Sequence, residues 1–177
     1  MEKSISLNIP LEKSGGKLWG WYIAVDNSDV ERIKDLGWNR LIARIEDADP
    51  HHCAIVPLGH GLKGITLNKP FVEKNGFVLG QKLAVELRED KSKYGMPISE
   101  EFYAAMEEDA HAKGLFEKLT PGKKRNLIYY VDNVKSSDIK IRRALVVLNH
   151  LKLHAGKIDF KDLTQEMKEA NNREKLL

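Results

Sequence analysis

The chain changes its hydrophobic period once. Up to about residue 90 apolar and polar positions alternate; beyond it the apolar positions recur at helical spacing. Ser4 to Pro10 sets Ile5, Leu7 and Ile9 on one face and Ser6 and Asn8 on the other, the pattern of a half-buried strand. The same period returns from Lys17 to Val25, where Trp19, Trp21, Ile23 and Val25 share a face. Ser14-Gly15-Gly16-Lys17 lies between the two runs and predicts a hairpin. Leu41, Ala43 and Ile45 predict a third strand, broken by Asp47-Ala48-Asp49-Pro50. Cys53 to Leu58 and Leu62 to Leu67 flank Gly59-His60-Gly61 as a second hairpin. Gln81 to Glu89 is the most regular strand, with Leu83, Val85 and Leu87 inside and Lys82, Glu86 and Arg88 outside.

Two short helices interrupt these strands. One starts at Ser28, with Glu31 completing a capping box, and ends at Gly37. The other starts at Asn68, carries Pro70 in its first turn and ends at Asn75-Gly76. Six amphipathic strands in so short a segment predict a small closed β-barrel with helical plugs, because closure removes exposed sheet edges. Trp38 is placed over one barrel end, and Trp19 and Trp21, which share the inward face, in the core rather than on a nucleic-acid stacking platform with Tyr22.

Lys91 to Pro97 is polar and turn-rich and reads as a linker. Ser99 caps a helix to about Asp109, with Phe102, Ala105 and Met106 inside and an acidic outer face of Glu100, Glu101, Glu107, Glu108 and Asp109. Thr120-Pro121 starts the next helix, with an apolar stripe of Leu127, Ile128, Val131 and Val134. Ser136 or Ser137 starts a third, buried through Ile141, Ala144, Leu145, Leu148 and Leu151 and stopped by Gly156. Asp159 caps a last helix with Phe160, Leu163 and Met167 inward, and the chain beyond Ala170 is expected to fray. The fold class expected is therefore α+β: a closed barrel of about six strands over residues 1–95, then an all-helical domain over residues 96–177.

Composition narrows the class. At 42% hydrophobic and 31% charged residues the chain reads as globular rather than disordered. No apolar run reaches the length of a membrane span, and Met1-Glu2-Lys3-Ser4 does not open a secretory signal. With a lone cysteine, Cys53, no internal disulfide can form, which points to a reducing, cytoplasmic setting.

The net charge of +3 is unevenly spread: −3 over residues 1–120, +7 over 121–157 and −1 over 158–177. The basic excess falls at two predicted helix starts, Lys123, Lys124 and Arg125 on one and Lys140, Arg142 and Arg143 on the next. Cations at helix N-termini oppose the helix dipole, and with the free backbone amides they define a candidate anion-binding site. The competing reading pairs them with the acidic face of the Ser99 helix.

Candidate chemistry is otherwise sparse. His51, His52, Cys53 and His60 lack the paired spacing of a zinc site, and Cys53 reads as a small buried residue. His150 and His154 share a helix face, but Leu151-Lys152-Leu153 between them supplies no general base; they read as surface histidines at a helix C-terminus. Gly59-His60-Gly61 does not have phosphate-loop spacing, and there is no nucleophile elbow. No catalytic residue, metal site or cofactor is assigned.

Two stretches resemble known families. VPLGHGLKGITLNK followed by KNGFVLGQKLAVELREDKSKYGMP resembles a bacterial domain family without an assigned function whose fold is a double-split β-barrel. LFEKLTPGKKRNLIYYVDNVKSSDIKIRRALVVLNHL resembles the YdeI/OmpD-associated, or bacteriocin-protection, family. The resemblance implies a cytoplasmic bacterial protein joining the two modules, without catalytic residues to carry over. Asp138-Ile139-Lys140-Ile141-Arg142 departs from the family pattern, which has threonine-arginine ahead of the second basic residue.

The leading functional reading is a non-enzymatic protein that binds a protein or an anionic ligand, linked by that resemblance to bacteriocin tolerance or envelope stress. The rivals are nucleic-acid binding through the basic helix starts, and an enzyme acting on a small ligand in a barrel-mouth or interdomain pocket.

Overall fold

The computed structural model describes residues 3–15 and 20–174. The chain divides into two compact units, Met1–Gly95 and Met96–Leu177. Trp19 and Lys17, which the alternation places at the start of the second strand, lie outside the described residues.

The first unit holds strands β1 (Ser4–Lys13), β2 (Trp21–Ala24), β3 (Leu41–Ile45), β4 (His51–Cys53), β5 (Val56–Gly59), β6 (Leu62–Leu67) and β7 (Lys82–Glu89), with helices α1 (Asn27–Asp35) and α2 (Lys69–Lys74). All pairings are antiparallel, in the order β4-β3-β7-β1-β2-β6-β5. The sheet is curled but open, which corrects the closed double-split barrel of six strands.

The reason lies at Ala54-Ile55. The run Cys53–Leu58 is not one strand: it breaks there, and its halves become the two opposite edges of the sheet. The edges do not ladder together. β4 is three residues long, and β5 contains Pro57, which has no N–H to donate, beside a register irregularity at Pro57/Gly59. A side chain does the bridging instead: His51 on β4 donates its Nε2–H to the Thr66 carbonyl of β6 at 3.2 Å.

β1 organises the curl by changing partner along its length. Ser4 to Pro10 pairs with β7, and Leu11 to Lys13 with β2. The alternating apolar positions Ile5, Leu11, Ile23, Ile65, Leu83 and Leu87 fill the concave face, each at most 1% exposed, and Trp38 joins the same core. Gly64 is required where β6 crosses β2, since a Cβ there would stand 2.1 Å from the Ile23 carbonyl oxygen. Asn68 caps α2 by accepting from the Phe71 N–H at 2.8 Å. α1 instead begins after Asp26 without a side-chain cap bond, so the Ser28–Glu31 capping box does not form.

The segment after β7 is not a loose linker. Tyr94 is buried, Gly95 takes φ +70°, and Arg40 donates to the Gly95 carbonyl at 3.1 Å.

The second unit comprises α3 (Glu100–Glu108), α4 (Ala110–Glu117), α5 (Pro121–Asp132), α6 (Ser137–Leu153) and α7 (Phe160–Glu174). α6 is central and packs on the other four. Ser99 caps α3 as expected, and its N–H and hydroxyl also donate to Asp132 at 2.8 and 2.5 Å, tying the start of α3 to the end of α5. α4, not anticipated, is capped by Asp109, which accepts from the Ala112 N–H at 2.9 Å. It brings Phe116 edge-on to Phe102 with centroids 5.5 Å apart.

Three expectations are corrected along α6 and α7. Ala144, Leu148 and Leu151 are buried, joined by Val147, but Ile141 and Leu145 are 43% and 56% exposed. Likewise Leu163 and Met167 face in while Phe160 is 47% exposed. α7 continues through Glu174 rather than fraying at Ala170.

Candidate functional site

In the first unit, the open edge of the sheet gathers polar side chains. Asp90 follows β7 and has no exposed side-chain surface, which for a carboxylate demands partners. It accepts from His52 Nδ1–H at 2.8 Å and from the N–H and hydroxyl of Ser92 at 2.9 and 2.5 Å. Burial pushes its carboxyl up, but the bonds from Ser92 and His52 outweigh that and hold it below the ordinary value.

His52 meets Asp90 through Nδ1, which leaves Nε2 outside that bond. The ring borders a cleft of about 340 Å³ with Ile42, Arg44, Pro50, Glu86, Arg88 and Glu89. Arg88 and Glu86 pair across one strand face at 3.0 Å. Desolvation lowers His51, only partly offset by its bond to Thr66. Burial pushes the Cys53 thiol up to about 12, so it is a core residue rather than a nucleophile or ligand. His60 sits in the β5–β6 turn, an exposed residue at φ +50°.

In the second unit, the structure moves His150 from the expected surface into the core, at 1% exposure. Its ring lies 4.1 Å from that of His154, and both histidines meet Glu166 of α7: His150 Nδ1 at 3.0 Å and His154 Nε2 at 3.4 Å. The three offer ligand atoms within 4.8 Å of one another, the spacing of a metal triad. Glu166 was missed because it is remote in sequence and arrives on another helix.

The hydrogen-bond pattern argues for a different role. The Asp159 N–H donates to His150 Nε2 at 3.2 Å, so that nitrogen is the acceptor and Nδ1 carries the proton given to Glu166. Ligation through Nδ1 would move the proton to Nε2, where it would face the Asp159 N–H. His150 is thus a neutral, satisfied latch on the start of α7. Asp159 completes that start by accepting from Lys161 and Asp162 N–H at 2.8 and 3.2 Å, and those bonds hold its own carboxyl low.

The six basic residues of the two helix starts lie on α5 and α6. Lys123 is exposed on α5, and Arg125 is half-buried. Lys124 pairs with Glu117 at 2.8 Å, and Lys140 lies 3.8 Å from Glu101 of the acidic α3 face. Arg142 donates to Asn171 at 3.0 Å. Arg143 donates to the Tyr130 carbonyl at 2.8 Å and to Asn133, and its guanidinium lies 5.6 Å from the Tyr130 ring centroid. Arg143 therefore closes the C-terminal end of α5.

Sequence periodicity concealed one more feature. One side of α6 packs inward, while on the other Ile141, Leu145 and Leu153 stand out beside Asn149 and Lys152, Leu153 at 67% exposure. Beside them runs a groove of about 470 Å³ between α6 and α7, lined by Leu145, Val146, Asn149, Leu153, Glu166, Glu169 and Ala170.

A family model described as "Bacteriocin-protection, YdeI or OmpD-Associated" matches residues 96–152. The match begins at the first residue of the helical unit and ends within α6. No curated protein and no solved structure matches the chain. Among the described residues, no helix is long and apolar enough to cross a membrane.

Proposed function

We propose that the protein is a non-enzymatic interaction protein of the bacteriocin-protection type, working in the bacterial cytoplasm through its helical unit. The observation that carries this reading is the outer face of α6, where Leu145 and Leu153 remain 56% and 67% exposed on a helix already buried along its other side. Large apolar side chains left open along one helix face mark a contact surface. The face lies in the same unit as the family match, which supports the link to bacteriocin tolerance. Lys124, Lys140, Arg142 and Arg143 each engage a neighbour within the unit, which favours an internal role for these cations over phosphate capture.

The test is survival. A bacterium sensitive to a pore-forming peptide bacteriocin is compared without the protein, with it, and with the Leu145→Asp/Leu153→Asp variant. The expected result is protection by the unaltered chain and its loss in the soluble, folded variant. Equal survival in all three overturns the proposal.

A further inference from the structure

We propose that the α6–α7 groove is a docking site for a cationic amphipathic helix. This deepens the interaction reading above and rests on it, since it names the partner's chemistry at the same surface. The floor is apolar, formed by Leu145, Val146 and Leu153 along α6, and suits leucine-like side chains at helical spacing. The charged residues lining it are both glutamates, Glu166 and Glu169.

These two differ from three acids of the helical unit that are paired within it. Glu101, Asp109 and Glu117 each face a lysine, at 3.8, 2.6 and 2.8 Å. Among the described residues, Glu166 and Glu169 have no lysine or arginine partner. Glu169 accepts from the neutral Gln165 amide at 3.0 Å. Glu166 accepts from His150, held neutral by the Asp159 N–H, and meets the His154 ring. Two carboxylates without lysine or arginine partners beside an open apolar floor are complementary to lysines or arginines flanking an apolar stripe. An acidic rim also disfavours an anionic lipid surface or a nucleic acid at this place.

The probe is a fluorescein-labelled synthetic peptide of leucine and lysine, patterned so that the leucines share one helix face. Its controls are a scrambled peptide of equal composition and a version with glutamate for lysine. Fluorescence anisotropy with the full chain is expected to show binding of the patterned peptide alone, weakened severalfold by raised salt. Leu145→Asp/Leu153→Asp is expected to weaken binding at least tenfold. Glu169→Gln, at an exposed position outside the His150 latch, is expected to weaken it severalfold while leaving the circular dichroism unchanged.

Equal binding of the scrambled or glutamate peptide overturns the proposal, as does unchanged affinity in the leucine variant. So does a concentration-dependent dimer built on Leu145 and Leu153, which would make a second copy the occupant. Survival that depends on these leucines without any peptide binding overturns the cationic helix and leaves the interaction reading standing. Peptide binding without any effect on survival supports the groove and overturns that reading.

Discussion

Single residues carry the sharpest consequences in the first unit. Cys53, with its thiol pushed up to about 12, is expected to react with Ellman's reagent roughly a thousandfold more slowly in the folded protein than in urea at mildly alkaline pH. Fast labelling of the folded chain would contradict its burial. Asp90 is held below its ordinary 3.8, so its contribution is fully present above that value and is lost as pH falls through the lower folded value. Asp90→Ala should cost about 2–3 kcal/mol at neutral pH in urea unfolding, the scale of breaking buried charge-assisted hydrogen bonds. That difference should shrink in acid. His51 adds an effect of the same sign at higher pH. Its folded value lies below the ordinary 6.5, so the unfolded chain takes up the proton first and stability falls as pH drops through 6.5. At Gly64 even one methyl group meets the Ile23 carbonyl at 2.1 Å. Gly64→Ala should therefore force β6 from β2 and lower the thermal midpoint markedly, a result thermal denaturation reads directly.

Elements differ in how they are held. α2 and α3 start at side-chain caps visible in the sequence as Asn68 and Ser99. α7 starts at a cap and a latch, Asp159 and His150, and only the first is local. His150→Ala removes a buried ring that is the partner of the Asp159 amide and of Glu166, with a cost of about 1–3 kcal/mol. The expected sign is early loss of amide-exchange protection in residues 160–167, with α3 and α5 retained. Protection lost uniformly across the helical unit would show that His150 is core filling rather than a latch. α6 supplies an internal control for its open face. Leu148→Ala, in the core, should cost about 2–5 kcal/mol, while Leu145→Ala should cost under about 1. Equal costs would mean that Leu145 is buried in solution.

At the scale of the whole molecule, each unit has its own core: the strand face around Ile23 and Leu83 in one, and Phe102, Phe116, Leu127 and Leu151 in the other. Residues 96–177 made alone are therefore expected to fold, giving a helical circular-dichroism spectrum and a cooperative thermal transition. A non-cooperative melt would show that the helices depend on the first unit. The helical unit is also where a family match and an unpartnered apolar face coincide, which places the functional question there.

Local patterns in the sequence sufficed for β1, β3, β6, β7, the caps at Asn68 and Ser99, and the period change near residue 90, because each depends on neighbours within a turn or a pleat. They also placed the apolar core of the strands. Closure was beyond them. Whether Cys53–Leu58 runs as one strand or parts at Ala54-Ile55 depends on which distant edges accept the halves, and alternation is blind to that. The same limit hid the side on which α6 is covered: Leu145 and Leu148 look alike along the chain, and the packing of α3, α4, α5 and α7 around α6 decides that one is buried and the other stands open. His150 likewise became a buried latch once α7 brought Asp159 and Glu166 to its two nitrogens. Periodicity sets which residues share a face; only the tertiary contacts decide what that face meets.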